Sequence, residues 1–431
     1  MIHELSLRAL HFVQLLFGFT YYYPLFMAYL WSIGALYYYL RNEYGKPAKP
    51  TLKSWPKVSI VVPCFNEEAN VRETIGHLFG MNYPDYEIIA VNDGSSDRSG
   101  SLLDELASQN PKLRVIHNAK NQGKSIALNT AAYLASSEYI VGIDGDALLD
   151  HDAIPWFVHH FESNPRIGAV TGNPRIRTRS TLLGRLQVGE FSSLVGLIKR
   201  AQQVFYRRIF TASGVITAFR RSALHDVGYW SPDMLTEDMD ITWKLQLRNW
   251  EVKFEPRALA WILMPETFTG LWKQRLRWAM GGLQIIGKYK GMFRDWRTYG
   301  MWPLFFEHLL SIVWACSVSV VLVTHIFDML SSLIAVPISG TSADHTAPLT
   351  SLLPEFSGVI IGTTCLLQML LSMFLERRYD HQLLRYFVWT IWYPFGFWMV
   401  NMLTIIVALP KIFFRQSGTR ARWVSPDRGI E

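Results

Sequence analysis

Two long stretches without basic residues constrain this chain more than any other feature of its sequence. Residues 9–40 contain no Asp, Glu, Lys or Arg, and no Lys or Arg occurs between Arg297 and Arg377. Only 18% of the 431 residues are charged, whereas 50% are hydrophobic. Stretches of this kind suit the hydrocarbon core of a membrane, so they exclude a purely soluble enzyme and a disordered or collagen-like chain.

Residues 1–56 are interpreted as a membrane anchor followed by a basic linker. Tyr clusters at 21–23 and 37–39 would lie roughly 21–24 Å apart on a helix that rises ~1.5 Å per residue, as aromatic belts do at the two faces of a bilayer. A cleaved signal peptide is disfavoured, because the apolar stretch is too long and no small-residue cleavage site ends it before Arg41. Four lysines follow within the next 16 residues, so the positive-inside rule places this side in the cytoplasm.

The region 301–431 predicts a C-terminal membrane domain with a basic tail. Apolar stretches near 302–327 and 357–375 are each long enough to span a bilayer. The polar piece between them, 338–356, contains no basic residue, which indicates a loop on the external side.

The last apolar stretch, 386–409, allows two interpretations. Basic residues flank it at both ends, and a single span cannot satisfy the positive-inside rule at both. The sequence WYPFG at 392–396 could instead break the stretch into a re-entrant hairpin. Both alternatives stay open at the level of sequence.

The charged middle of the chain predicts an α/β domain at 57–268, followed by an amphipathic interfacial segment at 269–300. Short apolar runs separated by helical patterns of ten or more residues indicate strands at 58–62, 87–91, 113–116 and 139–143. This alternation is typical of a mostly parallel sheet covered by helices. The three cysteines form no CxxC pair, so neither a disulfide framework nor a thiolate metal site is expected.

Acidic residues follow three of these predicted strands. They are Asn66–Glu67, Asp93 and the pair Asp144 and Asp146. Ligands of such sheets bind beyond the carboxyl ends of the strands, so these side chains should converge at one edge. Taken singly, Asp93 is also a common turn former and the Asp144–Asp146 loop a possible helix cap. Two carboxylates around Gly145 would suit Mg²⁺ or Mn²⁺ with a substrate phosphate, as in a nucleoside diphosphate site.

Two further polar positions have both a chemical and a structural interpretation. Lys124 begins a predicted helix and would contact a phosphate or a base, or else be a solvated surface lysine. Asp238 closes the sequence Thr-Glu-Asp and would serve as a general base that deprotonates an acceptor hydroxyl. The alternative for this segment is simple capping of the helix that follows.

Arg277 and Trp278 lie in the interfacial segment. A guanidinium can clamp a diphosphate with two hydrogen bonds, and an indole ring can stack on the C–H face of a sugar. Trp278 also suits the membrane interface, and both roles are compatible for an enzyme whose product enters the membrane.

Six motifs occur in an order that resembles the processive family-two glycosyltransferases, which include cellulose, chitin and hyaluronan synthases. The motifs are PCFNE (63–67), VNDGSSD (91–97), NQGKSIALN (121–129), DGD (144–146), TED (236–238) and QRLRW (274–278). The resemblance covers nearly the whole chain. The stretches 170–200 and 422–430, and the N-terminal span joined directly to the catalytic block, narrow it to the bacterial enzymes that make β-1,6-linked poly-N-acetylglucosamine for biofilm matrix.

This resemblance implies a GT-A glycosyltransferase domain inserted between transmembrane segments. It implies inverting, processive transfer from UDP-GlcNAc, with Mg²⁺ or Mn²⁺ as cofactor. The residues that it assigns are Asp238 as general base beside Glu237; Asp144 and the more direct ligand Asp146 for the metal; Asp93, Glu67, Lys124, Pro63 and Asn66 for the UDP-sugar; and Gln274, Arg277 and Trp278 for acceptor and diphosphate.

The resemblance also implies partners and a location. A polar polymer cannot cross hydrocarbon unaided, so synthesis beside a protein channel couples elongation to export. The expected partners are therefore the growing polysaccharide, the lipid bilayer of the bacterial inner membrane, and a small membrane subunit with cyclic di-GMP control. No nucleic acid is expected, because the net charge of +7 comes from Lys and Arg clusters beside the membrane stretches as well as from the middle of the chain.

The sequence allows three alternative functions. One is a polymer synthase with a chitin-, hyaluronan- or cellulose-like product, since residue spacing separates neither donors nor linkages. The second is transfer of a single sugar to a lipid, which the QRLRW motif and the later spans disfavour. The third is an inactive scaffold, which the complete set of acidic residues disfavours.

Overall fold

A mixed sheet of eight strands forms the centre of the domain that precedes the C-terminal membrane region. The computed structural model describes residues 2–339, 355–416 and 418–422. The strands are β1 (Val58–Cys64), β2 (Tyr86–Asn92), β3 (Leu113–His117), β4 (Tyr139–Ile143), β5 (Leu148–Leu149), β6 (Ile167–Ile176), β7 (Ile216–Arg220) and β8 (Glu251–Ile262). Their order in the sheet is β3-β2-β1-β4-β7-β6-β8-β5.

The four predicted strands are confirmed as a parallel group. β1 pairs in parallel with β2 and β4, and β2 pairs in parallel with β3. The sequence did not predict β5 to β8, in which β7 runs antiparallel to β4 and to β6. The carboxyl ends of β1, β2 and β4 therefore meet at one edge, as expected.

The central strands are buried on both faces, which explains their continuous apolar sequences. Every residue of β1 is buried. Ile60 packs in a hydrophobic cluster on one face of the sheet, and its neighbour Val61 packs in a second hydrophobic cluster on the other face. This alternation follows from the two-residue period of a strand.

Thirteen α-helices are described. They are α1 (Ile2–Asn42), α2 (Val71–Leu78), α3 (Ser99–Gln109), α4 (Lys124–Leu134), α5 (Ala153–Ser163), α6 (Leu182–Gly189), α7 (Val195–Phe205), α8 (Arg221–Asp226), α9 (Glu237–Leu247), α10 (Phe268–Tyr289), α11 (Trp302–Ser339), α12 (Ser357–Glu376) and α13 (Tyr393–Phe413). A π-helical turn (Glu190–Leu194) joins α6 to α7, and 3₁₀ helices occupy Lys290–Arg294, Trp296–Met301 and Leu383–Trp392.

Within the described residues, three helices are long and apolar enough to cross a membrane. They lie within Trp296–Ser331, Ser357–Glu376 and Gly396–Phe413. The N-terminal helix α1 is not among them, since its apolar stretch is rich in Tyr, whose hydroxyl lowers the hydropathy. Its role as an anchor stays a prediction. Most of the predicted external loop 338–356 lies outside the described residues.

The segment 386–409 forms a 3₁₀ helix followed by one uninterrupted helix, α13. The break falls at Trp392, where the sequence suggested one, but the chain then continues as helix to Phe413 instead of turning back. Val388, Ile391 and Trp392 are exposed on the 3₁₀ helix, as suits a segment at a membrane surface.

A buried network of four charged side chains joins α1, α7, α12 and the sheet. Arg200 donates from Nε to Glu43 Oε1 at 2.6 Å and from Nη2 to Glu43 Oε2 at 3.0 Å. Arg200 and Arg175 both donate to Glu376, and all four side chains are fully buried. Two positive and two negative charges balance inside the protein, so each depends on the others.

Replacing Glu376 with Ala should strongly destabilise the protein. The change leaves Arg175 and Arg200 buried without their shared carboxylate, and breaking a buried pair in this way costs about 3–5 kcal/mol. Thermal unfolding in detergent measures the loss. Glu73→Ala is the control, because its ion pair with Arg177 is half exposed and should contribute little. Equal melting temperatures for the two variants would contradict this view of the network.

Candidate active site

Asp93 organises the loop that precedes α4. Its carboxylate accepts hydrogen bonds from the backbone N–H groups of Gln122 (3.0 Å) and Gly123 (2.8 Å) and from Asn118 Nδ2 (2.8 Å). These partners lie on a different loop, so Asp93 does more than form its own turn. The buried carboxylate fixes the loop from Asn118 to Gly123 at the carboxyl edge of the sheet.

The end of β1 brings the other predicted donor-site residues to the same edge. Asn66 Oδ1 accepts a hydrogen bond from the Ser96 N–H at 2.9 Å, which joins it to the loop after Asp93. A Cβ on Gly145 would lie 3.1 Å from Pro63 O and 3.1 Å from the Cγ of buried Glu67. Glycine at 145 thus allows the turn between Asp144 and Asp146 to lie directly against the end of β1.

Lys124 is buried among carboxylates, so its interpretation as a solvated surface lysine is wrong. Its Nζ lies 2.5 Å from Asp144 Oδ1 and 3.1 Å from Glu237 Oε1, and it donates to Gly214 O at 3.4 Å. Burial opposes the charge of Lys124, but Asp144 and Glu237 outweigh burial and hold its pKa above the ordinary value. Lys124 is therefore a fixed positive charge within an acidic cluster formed by Asp144, Glu237 and Asp238.

Asp238 lies in the first turn of α9 with its carboxylate directed at the turn before β7. Its Oδ2 accepts from the Gly214 N–H at 3.3 Å, and its Oδ1 accepts from the Met239 N–H at 2.8 Å. The neighbouring Thr236 makes no side-chain cap, and its buried hydroxyl has no hydrogen-bond partner in the described part of the chain. Capping by Thr236 therefore does not explain this segment.

The adjacent carboxyls of Glu237 and Asp238 have opposite pKa shifts. Burial, and then the negative charge of Glu237, raise the pKa of Asp238 to about 6. Burial also opposes ionisation of Glu237, but the positive charges of Lys124 and then Arg277 lower its pKa below the ordinary value. Two carboxyls whose pKa values differ in this way take different roles: Glu237 stays ionised, and Asp238 can accept a proton near neutral pH.

The donor set around Gly145 fits a divalent cation. Asp144 and Asp146 offer carboxylate oxygens, which Mg²⁺ and Mn²⁺ prefer. Among the residues that the structure describes, no group of three or more His, Cys, Asp or Glu side chains could hold a metal ion. A site of two carboxylates suits a cation that completes its coordination with water and substrate phosphate.

The QRLRW segment forms part of α10, which packs against the Thr-Glu-Asp segment. Arg277 Nη1 donates to Leu235 O at 3.2 Å. A Cβ on Gly281 would lie 2.2 Å from Thr236 Oγ1, so glycine allows the helix to approach this closely. The structure therefore brings Arg277 beside Glu237 and Asp238.

Gln274 and Trp278 also lie on α10, but their side chains contact residues away from Glu237 and Asp238. Gln274 Nε2 lies 3.8 Å from the Met264 sulfur. Half-buried Trp278 stacks on Phe191 with ring centroids 6.0 Å apart, and the Arg275 guanidinium lies 4.6 Å from its ring centroid. The structure records no contact between either residue and the acidic cluster.

Sequence reasoning missed two segments at the site. The C-terminal tail crosses it: Ala421 N donates to Pro232 O at 2.9 Å, and a Cβ on Gly123 would lie 2.3 Å from Ala421 O. The turn Ser213–Gly214 contacts both Asp238 and Lys124. The Ser-Gly pair before an apolar run was the only signal for this turn, and no signal placed the tail.

Comparisons with known proteins show the family to which the chain belongs. The model of the family described as "Glycosyl transferase family 2" matches residues 59–228. The poly-β-1,6-N-acetyl-D-glucosamine synthase of Staphylococcus epidermidis is 37% identical over 96% of this chain and 98% of its own. The protein of the same name from Staphylococcus aureus strain COL is 36% identical over the same shares.

One solved structure shares the fold along most of the chain. It is a mannosyltransferase of Pyrobaculum calidifontis in complex with GDP-Man and Mn²⁺. It is 19% identical, covers 94% of this chain and 99% of its own, and has a TM-score of 0.62. The fold class inferred from the sequence is therefore confirmed.

Proposed function

Because the chain belongs to glycosyltransferase family 2, among the poly-β-1,6-N-acetyl-D-glucosamine synthases, we propose that it polymerises N-acetylglucosamine from UDP-GlcNAc into a β-1,6-linked exopolysaccharide. The transfer is inverting and processive. The observation that carries the transfer chemistry is the cluster of Asp144, Lys124, Glu237 and Asp238, which combines a positive charge with one carboxyl whose pKa is about 6. The identity of the product rests on the relatives.

The donor site lies at the carboxyl edge of β1, β2 and β4. Asp93, with Pro63, Asn66 and Glu67, forms the pocket for the uridine end of UDP-GlcNAc. The loop that Asp93 fixes supports this assignment, because its glycine-containing backbone leads directly into Lys124 at the start of α4. Lys124 lies where its ammonium can reach the diphosphate once the substrate enters.

Asp144 and Asp146 would hold Mg²⁺ or Mn²⁺, with Asp146 the more direct ligand. When bound, the cation offsets the negative charge that develops on departing UDP. Lys124 supplies a second positive charge, and Arg277, whose charge acts on Glu237 and Asp238, supplies a third near the same cluster.

Asp238 is the general base. The acceptor hydroxyl gives its proton to the Asp238 carboxylate as its oxygen attacks the anomeric carbon, and the bond to UDP breaks on the opposite face. A base whose pKa lies close to the working pH accepts this proton efficiently. Glu237 stays ionised beside Lys124, and its negative charge helps to raise the pKa of Asp238.

Export of the product would take place through the helices that flank the catalytic domain. A cavity of about 350 Å³ lies among α1, α10, α11, α12 and α13. Its lining includes the aromatic and amide side chains of Trp31, Trp314, Trp398, Gln368 and Asn401, which suit a saccharide. Arg275 also lines the cavity and stacks on Trp278. Gln274 and Trp278 do not line the cavity but lie on the same helix as Arg275, where they would guide the acceptor end of the polymer towards the membrane.

The catalytic domain would face the cytoplasm of a bacterium, with the spans in the inner membrane. The basic linker after α1 supports this orientation. A small membrane subunit would complete the channel, with cyclic di-GMP control of the pair. Exposed Phe26, Ile33 and Leu40 on α1 recur every seven residues and form one apolar stripe that lipid or a partner helix can cover.

Replacing Asp238 with Asn should abolish polymer synthesis while UDP binding is retained. The amide cannot accept the proton, and loss of a general base typically lowers turnover by about 10²–10⁴-fold. Polymer formed from radiolabelled UDP-GlcNAc and UDP affinity are measured in parallel. Asp240→Asn is the control, since Asp240 is a buried acid of the same helix that pairs instead with Lys288 and Tyr289. Wild-type synthesis by Asp238→Asn would remove Asp238 as the base.

The pH dependence of turnover should report the raised pKa of Asp238. Its carboxylate is the active form, so turnover should be half-maximal near pH 6, fall at lower pH and level off roughly one pH unit above this midpoint. Lys124 lowers the pKa of Asp238, so in Lys124→Met the midpoint should move to higher pH. Turnover of both proteins between pH 5 and 9 (roughly the range that spans this titration) checks the shift. An unchanged or lower midpoint would contradict the electrostatic assignment.

A further inference from the structure

Lys199 is a buried lysine that the proposed mechanism does not use. It lies on α7 with 3% of its surface exposed, and its Nζ donates to Ser213 Oγ at 2.6 Å. The Phe254 ring centroid lies 5.6 Å from the same nitrogen. Within the described ranges this ammonium makes no ion pair, although burying a charge without one is costly.

The Ser213 hydroxyl that accepts the hydrogen bond from Lys199 belongs to a turn that contacts both Asp238 and Lys124. Gly214 follows Ser213 in this turn. Its N–H donates to Asp238 Oδ2 at 3.3 Å, and its carbonyl oxygen accepts from Lys124 Nζ at 3.4 Å. A Cβ on Gly214 would lie only 3.2 Å from Asp238 Oδ2, so the turn and the carboxylate are in close contact. A small displacement of Ser213 would therefore move the donor that orients the base.

The other contacts of Ser213 hold its backbone and leave its hydroxyl to Lys199. Ser213 N donates to Thr171 Oγ1 at 2.8 Å, and Ser213 O accepts from Thr217 Oγ1 at 2.7 Å. These bonds attach the turn to β6 and β7. The bond from Lys199 attaches the same turn to α7, which packs against the N-terminal helix at Gly34 and Ala201.

The electrostatics agree with this geometry. Burial lowers the pKa of Lys199 to about 7, while the negative charge of Asp238 opposes that effect. Strongly perturbed ionisable groups of this kind are concentrated at functional sites. A neutral residue of similar shape would avoid the cost of burial, so the amino group has a use beyond packing.

We propose that Lys199 is a positioning residue for glycosyl transfer: through the Ser213 hydroxyl it fixes the Ser213–Gly214 turn that orients the Asp238 carboxylate. The inference rests on the proposed function, in which Asp238 is the base. It assigns Lys199 and Ser213 no contact with the donor sugar, so they should influence the rate of transfer and not the binding of UDP.

Lys199→Met and Ser213→Ala should each lower kcat by about tenfold or more, which is the effect of losing one hydrogen bond to a charged group. KM for UDP-GlcNAc and the Kd of UDP should stay within about twofold of wild type, since no donor-site contact is removed. Lys199→Arg should recover part of the lost kcat, because a guanidinium can also donate to Ser213.

The double variant Lys199→Met/Ser213→Ala separates a specific connection from general damage. If Lys199 acts through Ser213, the double variant should be no slower than the slower single variant. Multiplicative losses in kcat would overturn the proposal. Should Lys199→Met fail to fold, Ser213→Ala removes the same hydrogen bond with a smaller change and must show the same loss.

Lys244→Met is the matched control. Lys244 is a part-buried lysine of α9 that donates to Tyr229 O at 2.8 Å and does not contact the turn. Its loss should leave kcat near wild type. Asp238→Asn is assayed alongside: if it stays active, the assignment of the base fails, whereas an inactive Asp238→Asn with a fully active Lys199→Met overturns only the role of Lys199.

Discussion

The fixed relation between the sheet and the membrane helices depends on the buried network of Glu43, Arg175, Arg200 and Glu376. One acid follows α1 and the other ends α12, while the two arginines belong to the sheet and to α7. Each guanidinium and carboxylate is fully buried, so none can leave the network without a large electrostatic cost. The network therefore fixes the positions of β6, α1 and α12 relative to one another.

Helix α7 connects this buried network to the candidate active site. Arg200 belongs to the network, and its neighbour Lys199 donates a hydrogen bond to Ser213, next to Gly214, which contacts Asp238, the proposed base. Helix α10 also reaches the site, since it approaches Thr236 closely at Gly281 and lines the cavity among the apolar helices with Arg275. Two helices thus connect this helical region to Asp238 and its neighbours. A synthase that extends and exports one polymer needs this arrangement, because the acceptor end must stay aligned with the base while the chain moves away.

The sequence predicted the four parallel strands β1 to β4 but none of β5 to β8. β1, β2 and β4 are mostly apolar runs followed closely by Asn or Asp, whereas β5 has only two residues and β6 and β8 each contain a proline, which argues against a strand when only the sequence is known. The acidic residues were found because strand ends bear them. The partners of Lys124 could not be predicted, since Asp144 and Glu237 reach it through tertiary packing. Lys199 and Arg200 appear in the sequence as two adjacent cations of a kind that usually faces water, and only the structure shows that both are buried.

The central claim is that this site joins N-acetylglucosamine residues into a β-1,6-linked polymer. The most direct test supplies membranes that contain the chain, with and without candidate small membrane partners, with radiolabelled UDP-GlcNAc or UDP-Glc and Mg²⁺. Any product is then digested with an enzyme specific for β-1,6-linked poly-N-acetylglucosamine. The account predicts a high-mass product from UDP-GlcNAc alone that this enzyme degrades completely. A resistant polymer, a product from UDP-Glc, or a single-sugar lipid adduct would contradict it.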